Sequence, residues 1–570
     1  MTIPNAYEKV PMMFRAQTDG RCQLHYPQRY EEPHVLRWAD EWIERTYPDT
    51  PKFVEGVRSR TYKINWRFLT DGGQDDSIIR PSIGARGWPF ITGSSMKGLF
   101  RRACSQKQRD RYCGSSTSSS DPKPGILRFH GGYPTDTAWT ENLVDIVHPQ
   151  QTWQVKSNRK EGGAFALISL HEPEIRFGLS STMPLSDSEW QTIWAIWERA
   201  IATGIGGRVS AGYGQPRSHK ADELYRCNLK GQGQAPKLFD GTGEFRPNIF
   251  RAGIRGHALR IFGGLTTSPI AEQAVQDLFG GVQGGATVGL LSTTFRPASP
   301  DSNPISYIGE GNYEQPVYRI EGELSWSLTR PLSDDQRIAL TKLIEALTRF
   351  AMVFGGFGKS WRRADHRLFL PDYYDQRGLL IGCHWQWVGQ RSLLRDVKIR
   401  KPDKVGSFID EVRQIAADWL TIRGFTRSEK YADKWRETWH PDTVQVWGRP
   451  PLDKNHHPLT AEQCEAIRWF HGAYRKAFPQ ARIPEGTIYK SSFAGKVERN
   501  NSSVGRIWHR MYPFINRKKD EEGRSKPIET PAYFEFLTIF PDETPECGEF
   551  LDFLESEQRM FQKLWPAPVG

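Results

Sequence analysis

The residues best suited to chemistry in this chain sit in two glycine-rich loops and two basic turns. The first loop is Gly204-Ile-Gly-Gly-Arg-Val-Ser-Ala-Gly-Tyr-Gly214, and the second is Gly355-Gly-Phe-Gly-Lys-Ser-Trp-Arg-Arg363. Glycines let the backbone turn with positive φ and bring N–H groups close to a phosphate. Arg208 in the first loop, and Lys359, Arg362 and Arg363 in the second, put positive charge where the backbone opens. Tyr213 and Trp361 offer rings on which a base can stack. The basic turns are Phe90–Ala103, FITGSSMKGLFRRA, and Phe250–Phe262, FRAGIRGHALRIF. In the first, Ser94 and Ser95 stand where backbone N–H groups at a helix start form an anion site, strengthened by Lys97, Arg101 and Arg102. Arg255 and Arg260 repeat that pattern in the second. A tight turn or a solvated helix face uses the same residues; recurrence in two copies favours phosphate contact.

The elements that must position these residues form an internal repeat. Glu172–Gly214 and Tyr318–His366 each open with alternating strand residues and continue through the tetrapeptide PLSD, at 184–187 and 331–334. A helix follows in each, with apolar residues at helical spacing: Ile193, Ile196, Trp197 and Ala200, then Leu340, Leu343, Ile344 and Leu347. The Ser and Asp of PLSD are N-cap types. With the basic turns upstream, each copy reads strand, basic helix, strands, helix, glycine loop. That is a βαββαβ order, so the fold class is α+β with tandem ferredoxin-like (RRM-like) domains. The spacing predicts a strand-helix extension over 1–54, copy one over 55–220 and copy two over 222–375. Residues 376–570 match neither copy and form an additional C-terminal α+β domain. Its stretch 471–519 carries eleven Lys and Arg against two Glu, and its last helix is acidic. Around Tyr489–Arg499 and Val504–Tyr512 basic and aromatic residues interleave, which points to Lys496 and Arg506 as RNA contacts on a strand pair.

Composition agrees. The 570 residues hold 77 Lys and Arg against 66 Asp and Glu, a net charge of +11, and 20 Trp. A basic, aromatic-rich chain suits a polyanion with flat exposed bases, that is, single-stranded nucleic acid. No run of about 18 apolar residues predicts a membrane span, and MTIPNAYEKVPMMFR does not read as a signal peptide. The seven Cys are scattered without a CxxC, which argues against a disulfide framework or a zinc ribbon and predicts a cytoplasmic protein.

The pairing of an ITGSSMKG turn with a GIGGRVSAGYG loop resembles the RAMP superfamily of CRISPR-associated proteins, and more narrowly the backbone subunits of type III effector complexes. Ile126–Phe129 is similar to their mid-domain strand, and Ser157–Gly162, with Arg159 and Lys160, to their basic thumb hairpin. Leu278–Gly281 and Gly289–Phe295 are similar to the same part of copy two. The resemblance spans about residues 60–375. It implies two fused domains gripping a guide RNA, with complementary target RNA and other effector subunits as partners, and no membrane. Some such subunits cut target RNA with an Asp before the GSS turn and a divalent cation (Mg or Mn). Here Leu69–Ser77 supplies Asp71, Asp75 and Asp76; Asp76 lies 17 residues before Gly93. Asp240 holds a similar place in copy two, 13 residues before Gly253. The same residues also suit a plain turn, so the resemblance implies an RNA-binding subunit, with endoribonuclease activity an open expectation.

Two other classes stay open at this stage: a free-standing guide-processing endoribonuclease, and a non-catalytic capping subunit. The first needs a His as general acid or base, and no His here has a suggestive partner in sequence. His366, beside Arg362 and Arg363, reads as structural. No Walker A, HExxH or GxSxG motif supports a common hydrolase.

Overall fold

The computed structural model describes residues 34–70, 72–75, 78–115, 123–147, 152–157, 165–217, 222–238, 241–281, 287–299, 305–309, 313–370, 380–389, 393, 399, 401–426, 428–471, 488, 491–495 and 503–567. The architecture is mixed α+β. A first sheet takes β1 (Arg58–Lys63), β2 (Leu127–Pro134) and β3 (Glu174–Ser181) in the order β1-β3-β2, all antiparallel. The helix α1 (His34–Glu44) precedes it, and α2 (Gly93–Ala103) and α3 (Asp187–Ile201) belong to it. The side chain of Ser186 caps α3 by accepting from the Glu189 N–H at 3.2 Å. Asp187 and Glu189 place negative charge in its first turn, where the helix dipole favours it. The apolar positions read from the sequence are the buried ones: Ile193, Ile196 and Trp197 are fully enclosed. They meet Met96 and Phe100 of α2, Phe177 and Leu179 of β3, and Trp38 and Trp42 of α1 in one core.

A second sheet takes β4 (Glu223–Gln234), β5 (Leu291–Pro297), β6 (Tyr313–Leu328) and β7 (Cys383–Trp387) in the order β5-β6-β4-β7. Every pairing along it is antiparallel, with Leu229 of β4 opposite Gly322 on one side and Trp387 on the other. Its helices are α4 (Asn248–Gly263), α5 (Ser268–Phe279) and α6 (Asp334–Phe354). Ser333 caps α6 as Ser186 caps α3, accepting from the Gln336 N–H at 3.4 Å. The fourth strand, β7, comes from residues beyond 375.

Downstream, α7 (Asp403–Ile422) packs on α6. A third antiparallel sheet holds β8 (Gln445–Arg449), β9 (Ile507–Lys519), β10 (Ser525–Ile539) and β11 (Gln562–Trp565) in the order β9-β10-β8-β11. The basic, aromatic strand around Val504–Tyr512 therefore pairs with β10. The core of the second sheet runs without a break into this region: Phe350 and Phe354 of α6 touch Trp439 at 4.6 and 5.4 Å, and Trp439 meets Trp508 at 5.5 Å. Nine tryptophans, Trp88, Trp139, Trp197, Trp326, Trp385, Trp419, Trp439, Trp469 and Trp508, are essentially inaccessible. The Trp excess is thus mainly core. Among the described residues no helix is long and apolar enough to cross a membrane.

Candidate nucleic-acid interface

The start of α2 has the form the sequence suggests. Thr92 is its N-cap, accepting from the Ser95 N–H at 3.2 Å, and its hydroxyl lies 2.9 Å from those of both Ser94 and Ser95. Ser94, Ser95, Lys97 and Arg102 are exposed and Arg101 is half-buried. This leaves hydroxyls, helix N–H groups and basic side chains on one accessible surface.

The first glycine loop closes onto the short strand Arg67–Phe68 and the residue after it. Gly207 donates its N–H to the Leu69 carbonyl at 3.1 Å, and Gly214 donates to Arg67 at 2.8 Å. Gly206, at φ +80°, would place a Cβ 2.0 Å from the Leu69 oxygen, so only glycine fits there. Arg208 adopts left-handed backbone at φ 55°. Its guanidinium lies 6.0 Å from the Tyr213 ring centre.

Around Arg208 the structure assembles a group that the sequence left scattered. Arg251 and Arg255, one helical turn apart on α4, share its electrostatic neighbourhood: burial, then Arg255 and Arg208, push the Arg251 guanidinium down to about 9. Arg255 is lowered by burial as well, with Glu272 opposing, and donates to Thr152 Oγ1 at 3.2 Å. Arg251 donates to the Phe279 carbonyl. The turn that follows Arg208 packs on α4, so Arg208 acts on the charge of Arg251, as Arg255 does from the next turn of the helix. Like charges brought together this way are stabilised by an anion between them. Arg251 was missed in the sequence, although its spacing of four from Arg255 put both on one helix face.

Other expected contacts are corrected. Tyr213 offers no ring to a base: it is fully buried, packs tilted against Trp66 at 4.6 Å between ring centres and donates to Asp145 Oδ2 at 2.7 Å. Asp145 in turn pairs with Arg246 at 2.6 Å, and Arg67 pairs with Glu244 at 2.8 Å. These two buried pairs join the first module to the second. The end of the second glycine loop, from Trp361 to Arg363, faces the next module. Arg362 reaches Glu437 at 2.8 Å and Gln154 at 2.6 Å. Arg363 donates to the carbonyls of Ile507 and Ala494. Arg260 is buried between the rings of Trp361 and Trp508, 5.4 and 5.1 Å away, and also binds Glu437. Trp361 itself packs on Trp508 at 4.8 Å and on His257 at 5.0 Å. Arg506 pairs with Asp542 at 3.0 Å and donates to the Arg436 carbonyl at 3.1 Å. His366 is buried with Nδ1 2.9 Å from the Ala364 carbonyl, a structural role as read. Lys359 remains exposed.

At the centre of this second assembly, Glu437 faces Arg260, Arg362 and Arg436. Burial alone would raise its carboxyl; the charges of Arg362, Arg260 and Arg436 outweigh that and hold it at about 2. No sequence signal tied Glu437 to Arg260 or Arg362. Asp71, Asp76, Asp240, Arg159, Lys160 and Lys496 lie outside the described residues. Asp75 is placed only by its backbone, in a short strand with Ile78 opposite.

No protein-family model matches the chain, and no curated protein does either. Solved structures that align with parts of it include the following three. A chain of the type III-B Cmr-beta complex bound to cognate target RNA aligns at 14% identity and TM-score 0.22, over 28% of this chain and 58% of that one. Cmr1 from Pyrococcus furiosus aligns at 13% identity and TM-score 0.30, over 60% of this chain and 99% of that one. Cmr6 from Pyrococcus furiosus aligns at 12% identity and TM-score 0.17, over 29% of this chain and 98% of that one. The chain thus spans just over half the length of the first of these. Scores this low do not establish a shared fold.

Proposed function

We propose that this chain is a guide-RNA-binding subunit of a type III CRISPR interference complex, acting in antiviral defence. In this reading it carries two fused RAMP domains and a C-terminal α+β domain, and it works beside other effector subunits on a guide and its complementary target RNA. The observation that carries the reading is the packing of the first glycine loop on α4, which brings Arg208 of one module to the helix that carries Arg251 and Arg255. Phosphates of an RNA backbone are the anions such a group fits, and the exposed Ser94-Ser95-Lys97 helix start offers a second contact of the same kind. The strand order β5-β6-β4-β7, antiparallel throughout, supports a ferredoxin-like second domain. The sequence resemblance supports the type III assignment.

The test is a triple variant, Lys97→Gln with Arg208→Gln and Arg255→Gln, titrated with single-stranded RNA over a range of salt. Loss of three phosphate contacts lowers the slope of log K against log salt by about 2. An unchanged slope in a folded variant excludes these residues from the RNA path. A finer proposal rests on sequence alone: Asp76, with Asp71 and Asp75 and a divalent cation, cuts target RNA. Asp76→Ala then abolishes one cut while guide binding persists; cleavage unchanged at every site removes Asp76 from the chemistry.

A further inference from the structure

The C-terminal sheet encloses a thiol, an imidazole and a carboxylate that meet at one point. Cys464 stands just before the short helix Glu465–His471, His509 lies on β9 and Glu535 on β10. Glu535 is opposite Met511 in register, so His509 and Glu535 are diagonal neighbours on adjacent strands. Cys464 is 2% exposed, His509 1% and Glu535 0%. The Cys464 Sγ is 3.1 Å from Glu535 Oε1 and 3.6 Å from His509 Nε2, and His509 Nε2 is 2.9 Å from the same Oε1. The backbone N–H of Ala466 also points at Oε1, from 3.0 Å. One carboxylate oxygen thus meets a thiol, an imidazole nitrogen and a backbone N–H at once. Its partner oxygen, Oε2, is held by Arg449 at 3.0 Å.

We propose that Cys464, His509 and Glu535 form a binding site for a zinc-like divalent cation that braces the C-terminal domain. The ligand set is mixed S, N and O, which suits zinc rather than magnesium or calcium. Bonds of about 2.0–2.3 Å in a tetrahedral arrangement put ligand atoms roughly 3.3–3.7 Å apart. The three distances here lie within about half an ångström of that range. With a cation between the three groups, Oε1 serves the metal and the Ala466 N–H only, and Oε2 keeps Arg449. A carboxylate ligand fixed by outer hydrogen bonds and charge is a usual support for such a site. On binding, the Cys464 thiol gives up its proton to solvent, and the ring proton of His509 resides on Nδ1 while Nε2 takes the metal. Three protein ligands leave one further coordination position. The enclosure of all three residues makes the role structural, and it does not depend on the RNA reading.

The experiment uses the full chain, purified without chelators or a histidine tag, with metal content measured by mass spectrometry before and after zinc addition. About one zinc per chain is expected, falling at least about tenfold in Cys464→Ser and in His509→Gln. Should these variants fail to fold, cobalt-loaded wild type decides, because a Cys464 thiolate ligand gives a thiolate-to-cobalt charge-transfer band. A chain that takes up no zinc overturns the proposal. So does zinc retained in both variants, or a cobalt spectrum without that band.

Discussion

Changing Glu437 to Gln removes the carboxylate that three buried guanidiniums share while nearly preserving shape. The carboxylate binds Arg362 through Oε1 at 3.0 Å and Oε2 at 2.8 Å, Arg260 Nε at 2.8 Å and Arg436 Nη1 at 3.1 Å. Two routes give the size of the effect. Breaking a buried ion pair from one side costs about 3–5 kcal/mol, because charge is left uncompensated. Separately, a carboxyl held at about 2 against an ordinary 4.5 reflects about 3 kcal/mol of net attraction. The two agree near 3–5 kcal/mol. For a unit as large as the second and C-terminal modules together, each kcal/mol moves the melting temperature by about 2 °C. Glu437→Gln should therefore melt about 6–10 °C below wild type at neutral pH, read by differential scanning fluorimetry. The pH dependence carries its own sign. Because the folded carboxyl is lowered, its contribution is complete above about 4.5 and is lost as pH falls toward about 2. Arg260 and Arg436, near 10, stay charged throughout. The gap between wild type and variant should accordingly close in acid. A variant melting within about 1 °C of wild type at neutral pH would refute the view that this cluster joins the modules.

Two further perturbations separate stability from binding. Trp508→Ala empties the aromatic cluster beside Arg260 and should cost about 3–5 kcal/mol, with RNA affinity per folded molecule unchanged. A selective loss of RNA affinity in a stable variant would instead make Trp508 a ring on which a base stacks. Gly206→Ala meets the Leu69 carbonyl at a positive φ, so it should displace the first glycine loop and weaken both stability and RNA binding. Wild-type melting and titration curves would show that the loop does not rest on that strand.

Much of the local structure was legible because it depends on neighbours in sequence. The PLSD caps, the buried faces of α3 and α6 and the capped, exposed start of α2 all follow from residues within a few positions of one another. The glycine loops were legible as loops, since glycine and a left-handed Arg208 fit only such turns. Their surroundings were not. A guanidinium after a glycine turn has the same local signature whether it meets a phosphate or a carboxylate 75 residues downstream, as Arg362 does with Glu437. Trp361 and Trp508 are ambiguous for the same reason: a ring suited to a base is equally suited to another ring. Arg208 reaches the helix of Arg251 and Arg255 because the second module packs against the first loop, with Ser292 donating to the Val209 carbonyl at 3.3 Å.

The central claim, that this chain holds guide RNA within an effector complex, is tested most directly by isolating the protein from its host and sequencing what comes with it. The account predicts protected RNA bearing CRISPR repeat-derived sequence, together with other effector subunits. A preparation free of RNA, or carrying RNA without repeat-derived sequence, would contradict it.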